Sequence, residues 1–238
     1  MSLTAVYQHE LKKTRTAVAN AVKLHWHQLP DYRDSQVQPF VERVVPIIEA
    51  GQRRAITLTD AYISRKMGVQ PIGLDLAALT GAAVRGGVDP LIVYARPFTT
   101  LWTSVATIGY AQALLKATNR LLSTTEMDVT LSARNASLAY AKETPSIVGW
   151  QRVADASCCD FCQMLDGVKV GAEDASPLHN NCGCTVEPLD ASAGYSSEDF
   201  VSFAPGSDFG DVLIQEHGEL GPVITNKDDN FTGPNDLQ

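Results

Sequence analysis

The sequence predicts an α+β protein in three parts: a mainly α-helical N-terminal domain over residues 1–145, a small zinc-stapled β module over 146–190, and an acidic, extended C-terminal arm over 191–238. Three observations predict it. Apolar residues recur every three or four positions through most of the first 145, the period of one helix face. After Thr144-Pro145-Ser146 the texture changes to short β-prone runs, and all five cysteines fall within this middle stretch. Beyond residue 190, Gly, Ser, Asp and Pro are abundant and apolar anchors are few.

In residues 3–28, Tyr7, Leu11, Thr14, Val18, Ala21, Val22 and His25 share one helical face. His25 and His27 flank Trp26 near the helix end and are assigned no site. Leu29-Pro30-Asp31 ends the helix, because proline disfavours helical backbone in the residue before it. A second pattern over residues 35–67 carries Phe40, Val44, Ile47, Ile48, Ala55, Leu58 and Tyr62, with Pro46 expected to kink it and Gly51 to loosen it. A short helix is expected over 74–84, closed by Arg85-Gly86-Gly87, and Asp89-Pro90 starts the next segment. Pro97 is expected to interrupt that segment. From Phe98, the series Leu101, Ser104, Ile108, Ala111, Leu115 and Leu122 predicts a long helix, followed by another over 125–142.

Strands are expected at 147–153, at 167–170 behind the Asp166-Gly167 turn, and at 185–187. So small a sheet is expected to need its staple for stability. In the arm, Tyr195, Phe200, Val201, Phe203, Val212, Leu213 and Ile214 are the sparse anchors. That composition suggests ordering on a partner, and residues 217–225, HGELGPVIT, suit a strand added to a neighbour's edge.

An apolar content of 45% is that of a globular protein. No window approaches eighteen uncharged apolar residues, and the N-terminal MSLTAVYQHELKK lacks the apolar core of a signal peptide. The expectation is a chain without a membrane span, made and used in a reducing cytoplasm. The net charge of −8 hides an asymmetry: residues 1–150 carry 16 Lys+Arg against 11 Asp+Glu, and residues 151–238 carry 3 against 16. The two parts thus stand at +5 and −13 and are expected to meet different neighbours. The front holds no dense basic run, which argues against specific nucleic-acid reading; its pairs Arg53-Arg54 and Arg65-Lys66 are the candidates for phosphate contact.

The chemistry-bearing stretch is WQRVADASCCDFCQMLDGVKVGAEDASPLHNNCGCTVEP, residues 150–188. Cys159 and Cys162 form a C-x-x-C pair, and His179, Cys182 and Cys184 form H-x-x-C-x-C. A C-x-x-C knuckle places two thiolates at adjacent corners of a tetrahedral zinc site, and the second cluster can supply the other two. Coordination stays open between Cys159/Cys162/His179/Cys182 and a four-cysteine set that uses Cys184. The set with His179 is preferred because H-x-x-C repeats the gap of the first pair, which makes Cys158 the spare. Gly183 is expected to let the backbone bend closely around the metal.

Competing readings are weaker. A thioredoxin-type redox motif opens a helix after a strand in a βαβ unit, a pattern missing here. A Cys158 or Cys159 nucleophile activated by His179 leaves the other cysteines unexplained. An odd number of cysteines argues against a fully paired disulfide framework. A catalytic zinc site keeps an open position beside a general base, often within H-E-x-x-H, and no such motif occurs in the sequence. A closed structural site in a non-enzymatic protein is therefore expected, with a metal-dependent hydrolase as the alternative.

Several motifs together resemble the MuF-like minor capsid proteins of tailed bacteriophages, in particular the actinobacteriophage type. These are Val93-Tyr94-Ala95-Arg96-Pro97-Phe98, Gly149-Trp150-Gln151-Arg152-Val153 before the C-x-x-C, Leu178-His179-Asn180-Asn181-Cys182-Gly183-Cys184, and His217-Gly218-Glu219-Leu220-Gly221-Pro222 with Phe231-Thr232-Gly233-Pro234. The resemblance runs from about residue 90 onward, and Asn180 stands where the family often has proline. It implies a low-copy virion protein made in the host cytoplasm and located inside the head near the portal, aiding head assembly or DNA delivery. The implied partners are the portal protein, the inner face of the major capsid protein, or both, with nonspecific contact to packaged DNA through the helical domain and no membrane in the assembled virion. It also implies a stand-alone form, without a fused protease or toxin, and makes a protease-associated capsid maturation factor the second form of the enzymatic alternative.

Overall fold

The computed structural model describes residues 1–156, 158, 160–174, 182–203, 206 and 212–226. Helix α1 spans Leu3–His27 and starts where the Ser2 hydroxyl accepts the Ala5 amide at 3.1 Å. Helix α2 spans Val37–Met67 and stops at Gly68, whose φ of 70° is the left-handed cap that glycine adopts without strain. Pro46 lies inside α2 and does not end it. Gly51 serves packing: a Cβ there would fall 2.4 Å from Cγ2 of Val18, so its bare backbone lets α1 and α2 approach.

The expected helix over 74–84 is two pieces, α3 at Leu76–Leu79 and a 3₁₀ turn at Gly81–Arg85. Thr80 separates them because its backbone is extended, with φ −118° and ψ 171°. Helix α4 then runs over Pro90–Ile108 with Asp89 as N-cap, and α5 over Tyr110–Glu143. Here the breaks differ from those expected. Pro97 is buried within α4 and does not interrupt it, and no boundary separates residue 122 from 125. The chain turns instead at Gly109, whose φ of 76° and ψ of 162° lie in a region essentially closed to other residues.

That correction changes the apolar profile. With α4 unbroken through Pro97, the segment Leu76–Ile108 is long and apolar enough to cross a membrane by length and composition, and only 17% of its apolar window is buried. The segment is broken at Thr80 and Gly86 and carries Arg85, Asp89 and Arg96, so it is not a run of eighteen uncharged apolar residues, the kind of window the sequence was expected to lack.

The helices enclose a core centred on Trp26. Its ring lies 4.7 Å from Tyr32, 5.4 Å from Phe40 and 4.8 Å from Phe98 between centroids, and its Nε1 donates to Thr118 at 2.9 Å. Edge-on aromatic contacts of this kind add to the burial of large apolar surfaces. Helix α5 packs against α1, α2 and α4, and its Leu121, Val129 and Tyr140 are fully buried.

Three antiparallel strands follow. β1 (Ile147–Val153) lies between β2 (Lys169–Gly171) and β3 (Thr185–Asp190), with Trp150 opposite Val170 on one side and Pro188 on the other. A single turn of helix, α6 at Asp160–Met164, sits between β1 and β2. Strand β3 faces α1 and α2: Glu187 accepts from the Thr4 hydroxyl and pairs with Lys66 at 2.9 Å. Arg54 pairs with Glu10 at 3.2 Å and Arg53 with Glu49 at 3.6 Å, so three of the four candidate phosphate-binding cations have an acidic neighbour in the chain.

Within the tail, β4 (Val212–His217) and β5 (Gly221–Asn226) form an antiparallel hairpin. The strand expected to join a neighbour's edge pairs within its own chain. The reason lies at the turn, where Leu220 and Val223 pack with Val84, Met127 and Leu131 of the helical region. Glu219 is held by Arg96 at 2.5 and 2.8 Å and by Arg85 at 3.2 Å. Arg85 also donates to Asp128 at 2.6 Å, Tyr94 donates to the other oxygen of Asp128 at 2.5 Å, and Arg134 donates to the Leu220 carbonyl at 2.5 Å. The buried charges of Arg85, Asp128 and Glu219 persist because each has a geometrically matched partner.

Candidate metal centre

Cys162 sits on α6, and Cys182 and Cys184 precede and abut β3. β1 carries the chain past both, because its antiparallel pairing with β3 returns the second cysteine group to the side where α6 leaves the sheet. All three thiols are buried, and their sulfurs lie within 4.8 Å of one another. The Sγ atoms of Cys162 and Cys182 are 3.9 Å apart. That is far from the about 2.05 Å of a disulfide. It is close to the about 3.8 Å edge of a tetrahedron with zinc–sulfur bonds near 2.3 Å.

Without a cation, such crowding works against ionisation. The Cys162 thiol is driven well above its usual value by hydrogen bonding to Cys182 and Cys184 and by burial. At Cys184 the hydrogen bond with Cys162 lowers the value, but bonding to Cys182 and burial outweigh it and push the thiol up to about 11. A divalent ion reverses this logic, since a coordinating thiol is deprotonated outright. The donor set therefore fits a thiophilic metal: three soft ligands, closed off from water, at tetrahedral spacing.

Two arginines frame the cluster. Arg152, 2% exposed, donates to Sγ of Cys162 at 3.4 Å and of Cys182 at 3.6 Å. Burial opposes its charge, but Cys182, Cys162 and Cys184 together more than restore it and hold the guanidinium above its ordinary value. Arg15 of α1 donates to the Cys182 carbonyl at 2.5 Å and to the Thr130 hydroxyl of α5 at 3.3 Å. The cluster is thus tied to two helices as well as to the sheet. Gly183 allows a close approach: a Cβ there would lie 3.1 Å from the side chain of Asp155.

Of the expected ligands, the structure brings Cys162 and Cys182 together and adds Cys184, the alternative. Cys159 and His179 lie outside the described residues. Cys158 is partly buried and packs against the cluster. Sequence reasoning assigned Arg152 no role, yet a signal was present. In β1 it alternates with Trp150 on the same face of the strand, so an inward tryptophan implies an inward, partnered arginine.

No curated protein and no solved structure matches the chain. A family model described as VG15 protein, a viral and phage family, matches residues 96–202, from the middle of α4 through the cysteine cluster and β3, and this supports a phage protein.

Proposed function

We propose that the chain is a structural minor head protein of a tailed phage, acting inside the head near the portal vertex in head assembly or DNA delivery, with zinc as a structural staple. The observation that carries this reading is the extent of the family match. It spans most of α4, all of α5 and the cysteine module together, so the phage relationship covers the thiol cluster and the MuF-like motifs at residues 149–153 and 178–184, while those at 217–222 and 231–234 lie beyond it. In this reading Cys162, Cys182 and Cys184 hold three corners of the metal site, and Cys159 or His179 supplies the fourth. The ion contributes folding free energy to a sheet too small to be stable alone. Portal protein, the inner capsid face or both are the partners, and the helical front offers the surface for any nonspecific DNA contact.

The test has two arms. Protein purified without chelator is analysed for metal by mass spectrometry and for co-purification with the portal protein of its phage. One zinc per chain with portal binding is the expected result. Zinc without portal or capsid binding would remove the head-protein assignment and leave the metal site. Metal-free protein with all five thiols titratable would remove the zinc.

A further inference from the structure

The helical hairpin formed by the end of α4 and the start of α5 projects an uncharged, apolar tip. Residues 97–115 contain no Asp, Glu, Lys or Arg. On this tip Trp102 is 42% exposed, Ile108 44%, Tyr110 56% and Leu115 54%. Among the described residues nothing covers these exposed surfaces, although Trp26 and Trp150 are buried almost completely. The surrounding charge is equally one-sided. Residues 90–125 hold none of the 27 acidic residues, while Lys116 is exposed beside the tip and Arg120, bonded to Thr100 at 2.7 Å, lies one turn further along α5. The acid nearest in the chain to the Tyr32 that holds Trp102 is Asp31, which is paired with Arg33 at 3.3 Å, so the apolar tip keeps a basic rim on α5 and complements a surface that is apolar within and anionic outside.

We propose that this tip docks into an anionic lipid bilayer. The depth is set by geometry. From Trp102 to Ile108 the helix advances about 9 Å at 1.5 Å per residue. That reaches the boundary between headgroups and acyl chains, the depth of interfacial helices, and falls well short of the roughly 30 Å hydrocarbon core. The tip therefore dips and does not span. Trp102 and Tyr110 suit that depth, since aromatic side chains with a polar handle concentrate at the membrane interface. The Trp102 Nε1 is already bonded to the Tyr32 carbonyl at 2.8 Å, so its exposed ring can enter lipid without stranding the donor. A second copy of the chain fits less well, because a twofold tip-to-tip contact would set Lys116 and Arg120 against themselves.

Trp102 reports on its own site, because the other two tryptophans are buried. The full chain is mixed with vesicles of phosphatidylcholine alone or with phosphatidylglycerol added, and followed by co-sedimentation and tryptophan emission. Expected are pelleting with the anionic vesicles that weakens as salt rises, a blue shift in emission, and a loss of roughly tenfold or more in partitioning for Ile108→Glu. Ile108 is exposed, so unchanged circular dichroism would show that this variant folds. Absence of pelleting, or partitioning unaffected by Ile108→Glu, would overturn the proposal. A concentration-dependent dimer abolished by Ile108→Glu, without vesicle binding, would assign the tip to a second copy instead.

Discussion

Arg152 shows how much a single inward-facing cation can decide. Bonded to two of the three clustered sulfurs, it offsets the negative charge that thiolates bring into a buried site. Arg152→Leu keeps the volume roughly and removes the charge, and it is expected to weaken zinc affinity by about tenfold to hundredfold, read by competition with a chromogenic chelator. Unchanged affinity would mean that the guanidinium only fills space. The cysteines themselves were legible in the sequence because five thiols at C-x-x-C and H-x-x-C-x-C spacing match few arrangements other than a metal site. The two-residue gaps favoured His179, which lies outside the described residues, and the fold sets Cys184, the alternative, beside Cys162 and Cys182. A gap along the chain constrains only neighbours in sequence; α6 and β3 supply the rest. Gly109 makes a complementary case. Its backbone conformation is open to glycine almost alone, and Gly109→Ala is expected to cost about 1–3 kcal/mol in denaturant unfolding.

At the scale of elements, helices α1 and α2 could be read from periodicity because each buries one continuous face, whereas the C-terminal hairpin could not. Its anchors are few, and the residues that hold it lie far upstream: the Glu219 bond to Arg96 spans 123 positions. The hairpin's grip also depends on pH. Burial alone would raise Glu219, but the hydrogen bonds and charges of Arg96 and Arg85 outweigh it and hold the carboxyl below its usual range. His217 is lowered chiefly by burial, and its Nδ1 accepts the amides of Glu219 at 3.1 Å and Leu220 at 3.3 Å, which requires the neutral ring. Both groups bind fewer protons when the hairpin is docked than when it is free. Docking is therefore complete above the free-histidine value of about 6.5 and weakens as pH falls through it, with a second loss below the free-glutamate value of about 4.3. Protection factors for hydrogen exchange over residues 212–226, corrected for the intrinsic rate at each pH, should fall on acidification between those limits while those of α2 hold. Equal protection at pH 7.5 and pH 5 would contradict this linkage.

For the whole molecule, the division into a helical domain, a zinc module and an arm describes the sequence well, but one continuous core runs through all three. Tyr7 and Val44 of the helices, Trp150 and Val170 of the sheet, and Ile214 and Ile224 of the hairpin belong to a single buried cluster. Arg15 reaches from α1 to the backbone of the cysteine cluster, and Glu187 joins β3 to α1 and α2. A staple in the sheet therefore supports more than the sheet. Cys162→Ala removes one of the three clustered thiols, and the helices retain the Trp26 core that lies away from it. The variant is expected to keep most of its helical circular dichroism at 25 °C and to melt in one transition lowered by about 10 °C, as a loss of a few kcal/mol would produce in a chain of this length. Chelation of the wild-type chain should lower the melting point by a similar amount, and the variant should no longer respond to chelator. Two separated transitions would mean that the sheet and helices fold independently despite their shared core. A melting point that neither change moves would mean that the thiols carry no structural metal.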